Sequence, residues 1–246
     1  MATGGRQTAS GVAGGREGVN WRVALIDSAG AWPGAIDAAA FVTEGGRVVS
    51  RAPVADASGH GSRIAALLAG GGSGCDLVLG QVFVHSGAAS GAAVAAAIDW
   101  SVERRADLIH MSLGLAADRA VLGAAVRRAA ESGCIVVAST PARGGPVYPA
   151  AYAQVIRGTG DARCAAGELS WLGAGLFGGC PRFEQGGGVE GVGGRGGGVA
   201  VGGASAGAAW VTRKILSGPK YESVNALVAA LSDGASYRGP ERRGRQ

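Results

Sequence analysis

The sequence contains few aromatic residues and no long hydrophobic run. Phe, Trp and Tyr make up 5% of its 246 residues, whereas hydrophobic residues as a whole make up 47%. No uninterrupted apolar stretch has the length of about 20 residues that a membrane-spanning helix needs. The first residues also lack the apolar segment and small-residue cleavage site of a Sec signal peptide. We therefore expect a cytoplasmic protein with no membrane partner and a core built mainly from Ala, Val, Leu and Ile.

Cysteine is also scarce, and its spacing does not fit the common metal sites. The four cysteines are Cys75, Cys134, Cys164 and Cys180, and none of them forms the paired spacing that marks zinc ligands. No cluster of carboxylates indicates a calcium site either. We expect no metal and no other cofactor. Cys164 and Cys180 flank a glycine-rich stretch, and the sequence leaves open whether they form a disulfide.

The positive charge does not favour a nucleic-acid partner. The net charge is +5, but the arginines are scattered, and a sustained basic run occurs only at residues 238–245. Aromatic residues do not alternate with the basic ones, as a surface that stacks on bases would require. An anionic protein partner or an acidic peptide substrate accounts for the charge equally well.

Apolar runs alternate with helical patterns along the chain, which is typical of a doubly wound α/β fold with a mainly parallel sheet and helices on both faces. We expect strands at residues 23–26, 77–84, 108–113 and 135–138, and helices at 61–70, 90–105, 119–132 and 205–216. One domain should span residues 21–236, between a flexible N-terminal segment (1–20) and a disordered basic tail (237–246). Glycine is concentrated between residues 173 and 203, where local order is hardest to fix.

Three polar residues follow this alternation at positions suited to catalysis. Asp27 ends the first apolar run, His60 opens a predicted helix after a glycine, and Ser205 opens another within a Gly/Ala segment. Each alone is explained as well by a loop, a turn or a close-packing site. Together they form the set that activates a serine: Ser205 attacks a carbonyl, His60 takes its proton, and Asp27 orients the imidazole.

The order Asp, His, Ser and the motifs around these residues resemble those of the subtilisin-like serine proteases over residues 22–216. Residues 23–28 look like the aspartate motif of that family. Residues 59–66 are similar to its His-Gly-Thr-His-Val-Ala-Gly motif, residues 107–114 to its Asn-Met-Ser-Leu-Gly strand, and residues 203–208 to Gly-Thr-Ser-Met-Ala-Ser. The resemblance implies a three-layer subtilisin-like fold and serine endopeptidase activity with Asp27, His60 and Ser205 as the catalytic residues.

The same resemblance implies where a peptide substrate binds. Ser112, Leu113 and Gly114 would offer an edge to which an extended peptide adds as a strand. Ser139 and Pro141 would belong to the opposite wall of the primary specificity pocket.

The oxyanion hole departs from the family pattern. Ala142 stands where the family has an Asn whose side-chain amide stabilises the oxyanion. Loss of one such donor typically costs about 10²–10³ in turnover. Thr140 and Arg143 are the other candidate donors, together with the backbone amide of Ser205.

The two remaining histidines are not expected to take part in catalysis. His85 follows a predicted strand and fits a surface position. His110 replaces the Asn of the family's substrate strand and points, by alternation, opposite to Met111, so that a structural role is expected.

Two functions of different class follow. The first is a serine endopeptidase, compact and dedicated to one substrate, similar in size and character to the protease that removes the leader peptide from the small subunit of quinohemoprotein amine dehydrogenase. Its partner would be the leader peptide of a modified polypeptide. The second is a catalytically impaired subtilase fold that binds peptides without cutting them. Labelling by a fluorophosphonate distinguishes the two functions, because only an activated serine is phosphonylated.

Overall fold

The computed structural model describes residues 20–70, 75–84, 88–183 and 202–241. Its strands are β1 (Arg22–Asp27), β2 (Ala35–Glu44), β3 (Arg47–Arg51), β4 (Asp76–Gln81), β5 (Leu108–Met111), β6 (Ile135–Ser139), β7 (Val155–Gly160), β8 (Leu169–Gly173), β9 (Leu176–Gly179) and β10 (Tyr237–Arg238). Its helices are α1 (His60–Ala69), α2 (Gly91–Glu103), α3 (Ala120–Glu131), α4 (Gly203–Leu216) and α5 (Val224–Asp233).

The strands form one mainly parallel sheet in the order β10-β8-β9-β7-β6-β5-β1-β4-β2-β3. Two neighbouring pairs, β2 with β3 and β8 with β9, are antiparallel. β1 lies between β4 and β5, and its last residue, Asp27, is in register with Gln81 at the end of β4. The predicted doubly wound α/β fold is confirmed, and it places Asp27 at the edge where the parallel strands end.

The helices cover both faces of the sheet, and alternation along each strand divides the core between them. Ala24 and Ile26 of β1 face the cluster that contains α2 and α3, whereas Val23 and Leu25 face the cluster that contains α1, α4 and α5. This division follows from the period of two along a strand. Among the described residues, no helix combines the length and the apolar character needed to cross a membrane.

Helix α4 lies unusually close to strand β7 because small residues meet at the contact. A Cβ added to Gly207 would overlap the carbonyl of Thr159, and one added to Gly158 would overlap the backbone of Ala208. Neither glycine can therefore carry a side chain unless the helix moves. The helix that contains Ser205 is thus held directly against the backbone of the sheet.

Several elements were not predicted, and some boundaries differ from the prediction. The expected strands 77–84 and 108–113 end earlier, at Gln81 and Met111, level with the end of their common neighbour β1. Strands β2, β3 and β7–β10 and helix α5 were missed. β7 reads Val-Ile-Arg-Gly-Thr-Gly, and glycine and charge within a strand weaken the apolar signal on which the prediction depended.

The prediction that the chain is disordered from residue 237 onward is wrong for residues 237–241. Tyr237–Arg238 pairs in parallel with β8. Arg163 contacts this strand in two ways. Its guanidinium lies over the Tyr237 ring, 5.3 Å from the ring centre, and donates to the Gly239 carbonyl at 2.8 Å. The predictions for residues 1–19, 184–201 and 242–246 and for His85 lie outside the described residues.

The cysteines that flank the glycine-rich stretch are both buried. Cys164 is 1% exposed and Cys180 is 5% exposed, and no disulfide joins them. Burial raises the pKa of the Cys164 thiol to about 11, so that this thiol stays protonated at neutral pH.

Candidate active site

The structure brings Asp27 and His60 together. Asp27 ends β1 with its side chain 1% exposed, and His60 is the first residue of α1. His60 Nδ1 lies 2.8 Å from Asp27 Oδ1. A carboxylate accepts only, so Nδ1 carries the proton of the neutral ring and Nε2 is left as a base.

The pKa of His60 is raised above its ordinary value of 6.5. The hydrogen bond to Asp27 is the main cause, burial opposes it, and the charges of Asp27 and Asp56 reinforce it. The protonated ring is therefore stabilised, which is what a general base needs when it accepts a proton from a nucleophile.

Two serine hydroxyls bind the segments that carry Asp27 and His60. The Ser28 amide donates to Asp27 Oδ1 at 2.7 Å, and the Ser28 hydroxyl accepts from the Gly61 amide at 2.9 Å. The Ser28 hydroxyl also lies 2.9 Å from that of Ser58, which accepts from the His60 amide at 3.1 Å. The carboxylate and the imidazole are thus held by one hydrogen-bond network rather than by their mutual contact alone.

Asp56 caps the helix that begins at His60. Its Oδ1 accepts from the Gly59 amide at 2.8 Å, and its Oδ2 accepts from the Ser62 amide and hydroxyl, each at 2.8 Å. Burial would raise the pKa of Asp56, but these bonds hold it below its ordinary value. Gly59 has φ +66°, a left-handed conformation that favours glycine and turns the chain into the helix.

Gln81 fixes the loop that leads to Asp56. It is fully buried at the end of β4, where its Nε2 donates to the Ser28 carbonyl at 2.8 Å and to the Val54 carbonyl at 3.0 Å. The Val54 amide donates back to Gln81 Oε1 at 2.9 Å. Sequence reasoning missed Gln81, Ser58 and Asp56, and Asp56 lies three residues before the N-cap position at Gly59, outside the local pattern by which a cap is recognised.

Ser205 lies in the first turn of α4, next to Ser112. The Ser205 hydroxyl donates to the Ser112 carbonyl at 3.4 Å, and the Ser112 hydroxyl donates to the Ser205 carbonyl at 3.3 Å. Across the described part of the chain, no hydrogen bond joins Ser205 to His60. The amide of Ser205 is also engaged, since it donates to the Gly202 carbonyl at 3.1 Å.

A cleft of about 770 Å³ opens beside His60. Among the described residues of its wall, Asp27 and His60 are the titratable ones, and the others are small, hydroxylic or apolar. The wall comprises Asp27, Ser28, Ala57, Ser58, His60, Phe83, Val84, Ala88, Ala89, Ser112, Leu113, Gly114, Leu115 and Ala116. Three of the five residues predicted to bind substrate, Ser112, Leu113 and Gly114, therefore lie in one wall together with Asp27 and His60.

The other predicted substrate and oxyanion residues lie away from this wall. Ser139 ends β6 in a buried position, and the Thr140 amide donates to the Gly158 carbonyl at 2.8 Å. Pro141, Ala142 and Arg143 are exposed. Within the described residues, no hydrogen bond joins Thr140, Ala142 or Arg143 to Ser205. None of the residues 139–143 lines the cleft.

The model of the subtilase family matches residues 17–157, which is more than half of the chain. The chain therefore belongs to the subtilase family. The matched range contains Asp27 and His60 and ends before Ser205.

Individual relatives are proteases of bacilli. The minor extracellular protease Epr of Bacillus subtilis (strain 168) is 33% identical over 113 residues, or 41% of this chain and 18% of that protein. The thermostable alkaline protease of Halalkalibacterium halodurans is 33% identical over 112 residues, or 41% and 31%. Alkaline elastase YaB of Bacillus sp. (strain YaB) is 30% identical over 135 residues, or 50% and 36%. The aligned part spans little more than a third of these proteins at most.

Among solved structures, that of the S41 Psychrophilic Protease resembles this chain with a TM-score of 0.46 and 23% sequence identity. The alignment covers 64% of this chain and 56% of that one.

Proposed function

We propose that this chain is a serine endopeptidase in which Asp27, His60 and Ser205 are the catalytic residues. One observation carries the proposal: the buried carboxylate of Asp27 holds the His60 imidazole at 2.8 Å in the wall of a cleft. A base so oriented and raised in pKa is what activation of a serine requires. Membership of the subtilase family supports this role.

The reaction would proceed by acyl transfer. For this the Ser205 hydroxyl would have to leave the Ser112 carbonyl and turn about its Cα–Cβ bond towards His60. Its oxygen bonds to the scissile carbonyl carbon while its proton passes to His60 Nε2. His60 then gives this proton to the leaving amine as the C–N bond breaks. Water hydrolyses the resulting ester by the same steps and restores the Ser205 hydroxyl.

The segment after β5 suits the binding of an extended peptide. Leu115 exchanges two hydrogen bonds with Tyr148, at 2.8 and 2.9 Å. Backbone groups of successive residues in an extended chain point to opposite sides, which leaves those of Ser112 and Gly114 directed away from Tyr148, towards the cleft. A substrate N–H that bonds to the Ser112 carbonyl would displace the Ser205 hydroxyl and make it available to His60.

The lining of the cleft supports a preference for apolar side chains. Phe83, Val84, Leu113 and Leu115 line it, and among the described residues no Lys or Arg lies in its wall to attract an acidic substrate residue. A pocket of this chemistry excludes charged groups, because burial of an unpaired charge is costly. Arg143 is exposed and does not line the cleft.

The oxyanion donor is proposed to come from the end of β6. Thr140 is the best supported of the three candidates by its position. Its backbone amide is used by the Gly158 carbonyl, and Gly158 packs on Ala208 of the helix that carries Ser205, so that the side-chain hydroxyl of Thr140 would be the donor. Ala142 and Arg143 follow on the same exposed segment. The first turn of α4 contributes the positive end of its dipole.

We further propose a dedicated processing role, the removal of a leader peptide from a modified polypeptide, in the cytoplasm. A cleft with a small, largely apolar lining supports selectivity for one sequence over general digestion. Three buried cysteines, Cys134, Cys164 and Cys180, without a disulfide suit a reducing compartment. The relative Epr is named as an extracellular protease, so that the location is the first point to test. Fractionation of the native source, with the chain detected by antibody, makes that test.

The second candidate function is a peptide-binding module without catalysis. It is favoured by the hydrogen bond of Ser205 to Ser112 instead of His60. A fluorophosphonate reagent decides between the two. The proposed function predicts covalent labelling of the wild type and none of Ser205→Ala, with equal melting temperatures. A folded wild type that binds peptides and resists labelling would establish the binding module.

A further inference from the structure

His110 forms a buried polar bridge between strand β5 and helix α4. It is fully buried, as is Thr212 of α4. Its Nδ1 lies 2.8 Å from the Thr212 hydroxyl, and its Nε2 lies 2.8 Å from the Ser112 hydroxyl. Ser112 in turn donates to the Ser205 carbonyl at 3.3 Å. A side chain expected to be structural thus connects, through one hydroxyl, to the backbone of the residue proposed as nucleophile.

The chemistry of these groups fixes which atom donates in each of the three hydrogen bonds from Thr212 to the Ser205 carbonyl. The Ser205 carbonyl can only accept, so the single proton of the Ser112 hydroxyl is used there. Ser112 must then accept from His110 Nε2, which carries the proton of the neutral ring. His110 Nδ1 is left as an acceptor, and the Thr212 hydroxyl donates to it.

The charge state of His110 agrees with this pattern. Burial, assisted by the nearby charge of His60, lowers the pKa of His110 to about 3. The ring is therefore neutral over the range in which His60 titrates. One donor and one acceptor nitrogen are what the two hydroxyls require.

The bridge holds α4 at two points. Ser205 and Thr212 are seven residues apart, which is about two turns, so that they lie on the same face of the helix. His110 and Ser112 are two residues apart on one side of β5 and its continuation. The contact of Thr212 with His110 and that of Ser205 with Ser112 together oppose sliding of α4 along the strand and rotation of α4 about its axis.

We propose that His110, together with Thr212, is a positioning residue that sets the place of Ser205 relative to His60 and the cleft. This inference rests on the proposed function, since it assigns a role in delivering the nucleophile. Neither His110 nor Thr212 lines the cleft, so that their effect passes through Ser112 and α4 and not through contact with substrate.

The test replaces the Thr212 hydroxyl by a methyl group. Thr212→Val keeps the branched shape and leaves His110 Nδ1 without its donor, whereas Thr212→Ser keeps the donor. Ser101→Ala is the matched control, because Ser101 is also fully buried and its hydroxyl bonds the Ala97 carbonyl within α2, on the other face of the sheet. The measurements are the rate of labelling by a fluorophosphonate per folded molecule, the melting temperature, and kcat and KM for a peptide substrate.

We expect Thr212→Val to be labelled about 10–100-fold more slowly than the wild type, because a displacement of about 1 Å in a reacting group has effects of that size. Its kcat should fall with KM unchanged. Thr212→Ser should label within twofold of the wild type. Ser101→Ala should lose thermal stability and keep the wild-type rate. Labelling of Thr212→Val at the wild-type rate would overturn the inference.

Two further outcomes separate this inference from the proposed function. If the wild type is not labelled, the proposed function fails and the inference fails with it. If the wild type is labelled and Thr212→Val does not fold, Ser112→Ala makes the test, because it removes the hydroxyl that reaches the Ser205 carbonyl. A wild-type labelling rate in Ser112→Ala then overturns the inference alone.

Discussion

Ser112 and Ser205 hold each other by two opposed hydrogen bonds, in which the hydroxyl of each donates to the carbonyl of the other, at 3.3 and 3.4 Å. Both distances exceed the roughly 2.5–3.0 Å of an ordinary O–H···O bond, so each bond contributes less than one of ordinary length. The two bonds couple the segment after β5, which lines the cleft, to the first turn of α4. Any shift of α4 is therefore passed to the wall of the cleft, and substrate bound to that wall acts on Ser205.

Asp27→Asn should reduce kcat by about 10⁴, because an amide in place of the carboxylate can donate to His60 Nδ1 and impose the wrong tautomer. Turnover of a peptide, normalised to the folded fraction, is the measurement. Asp37→Asn is the control, since Asp37 pairs with Arg104 on the surface outside the cleft. A variant with Asn at residue 27 that keeps even a tenth of wild-type turnover would exclude Asp27 from the triad.

Activity and stability should change in opposite directions across the titration of His60. Its pKa in the folded state is raised above 6.5, so the charged His60–Asp27 pair stabilises the fold fully below that pH and loses this contribution as pH rises through the folded pKa. Catalysis needs the neutral His60 ring, so kcat/KM should increase as the pH rises through the same pKa. Profiles of kcat/KM and of the free energy of unfolding against pH provide the check, with His60→Gln as the variant in which the stability change should vanish. An activity limb centred below pH 6.5 would contradict the assignment of His60 as base.

Gly207→Ala should lower the free energy of unfolding by at least about 1–3 kcal/mol, because the new Cβ would overlap the Thr159 carbonyl, which cannot move without the sheet. Turnover should fall as well, since the displaced turn carries Ser205. Gly145→Ala, at a position with no atom within 4 Å of the added Cβ, should change stability by less than about 0.5 kcal/mol. Urea unfolding of both variants makes the comparison. Equal midpoints for the two would show that α4 can move away from β7 at no cost.

Ala142→Asn should raise kcat if residue 142 faces the oxyanion, by no more than about 10²–10³. Ala142 is exposed, so that the substitution should leave the melting temperature unchanged. Ala142→Asp has the same shape without an amide donor and should give no gain. Unchanged turnover in the Asn variant would remove residue 142 from the oxyanion site and leave Thr140 or Arg143.

The pairing of Asp27 with His60 could be predicted because both are fixed locally, one by the end of a buried strand and the other by the start of a helix. The residues that hold this pair could not. Gln81 and Asp56 act through the path of residues 52–59, a segment without periodicity whose course depends on the buried amide of Gln81.

The position of the Ser205 hydroxyl could not be predicted from the sequence either. Its motif predicted a helix start, which the structure has two residues earlier, at Gly203. The partner of the hydroxyl depends on a rotamer and on how closely α4 approaches the sheet. That approach is set by Gly158 and Gly207, which in the sequence look like any other members of a glycine-rich chain.

The core is divided between the two faces of the sheet, and this division determines which substitutions can affect the catalytic residues directly. The helices that carry His60 and Ser205 both belong to the layer of α1, α4 and α5. Helices α2 and α3 form the other layer and carry no proposed catalytic residue. Substitutions in the α2 and α3 layer therefore reach the cleft through the residues Phe83, Leu113 and Leu115, which line it and pack in the same cluster. In the opposite layer substitutions act on turnover as well. A directed-evolution library confined to residues 91–103 and 120–131 should yield stabilised variants that keep the parent's rate of labelling by a fluorophosphonate, and any loss of activity among them should be a rise in KM.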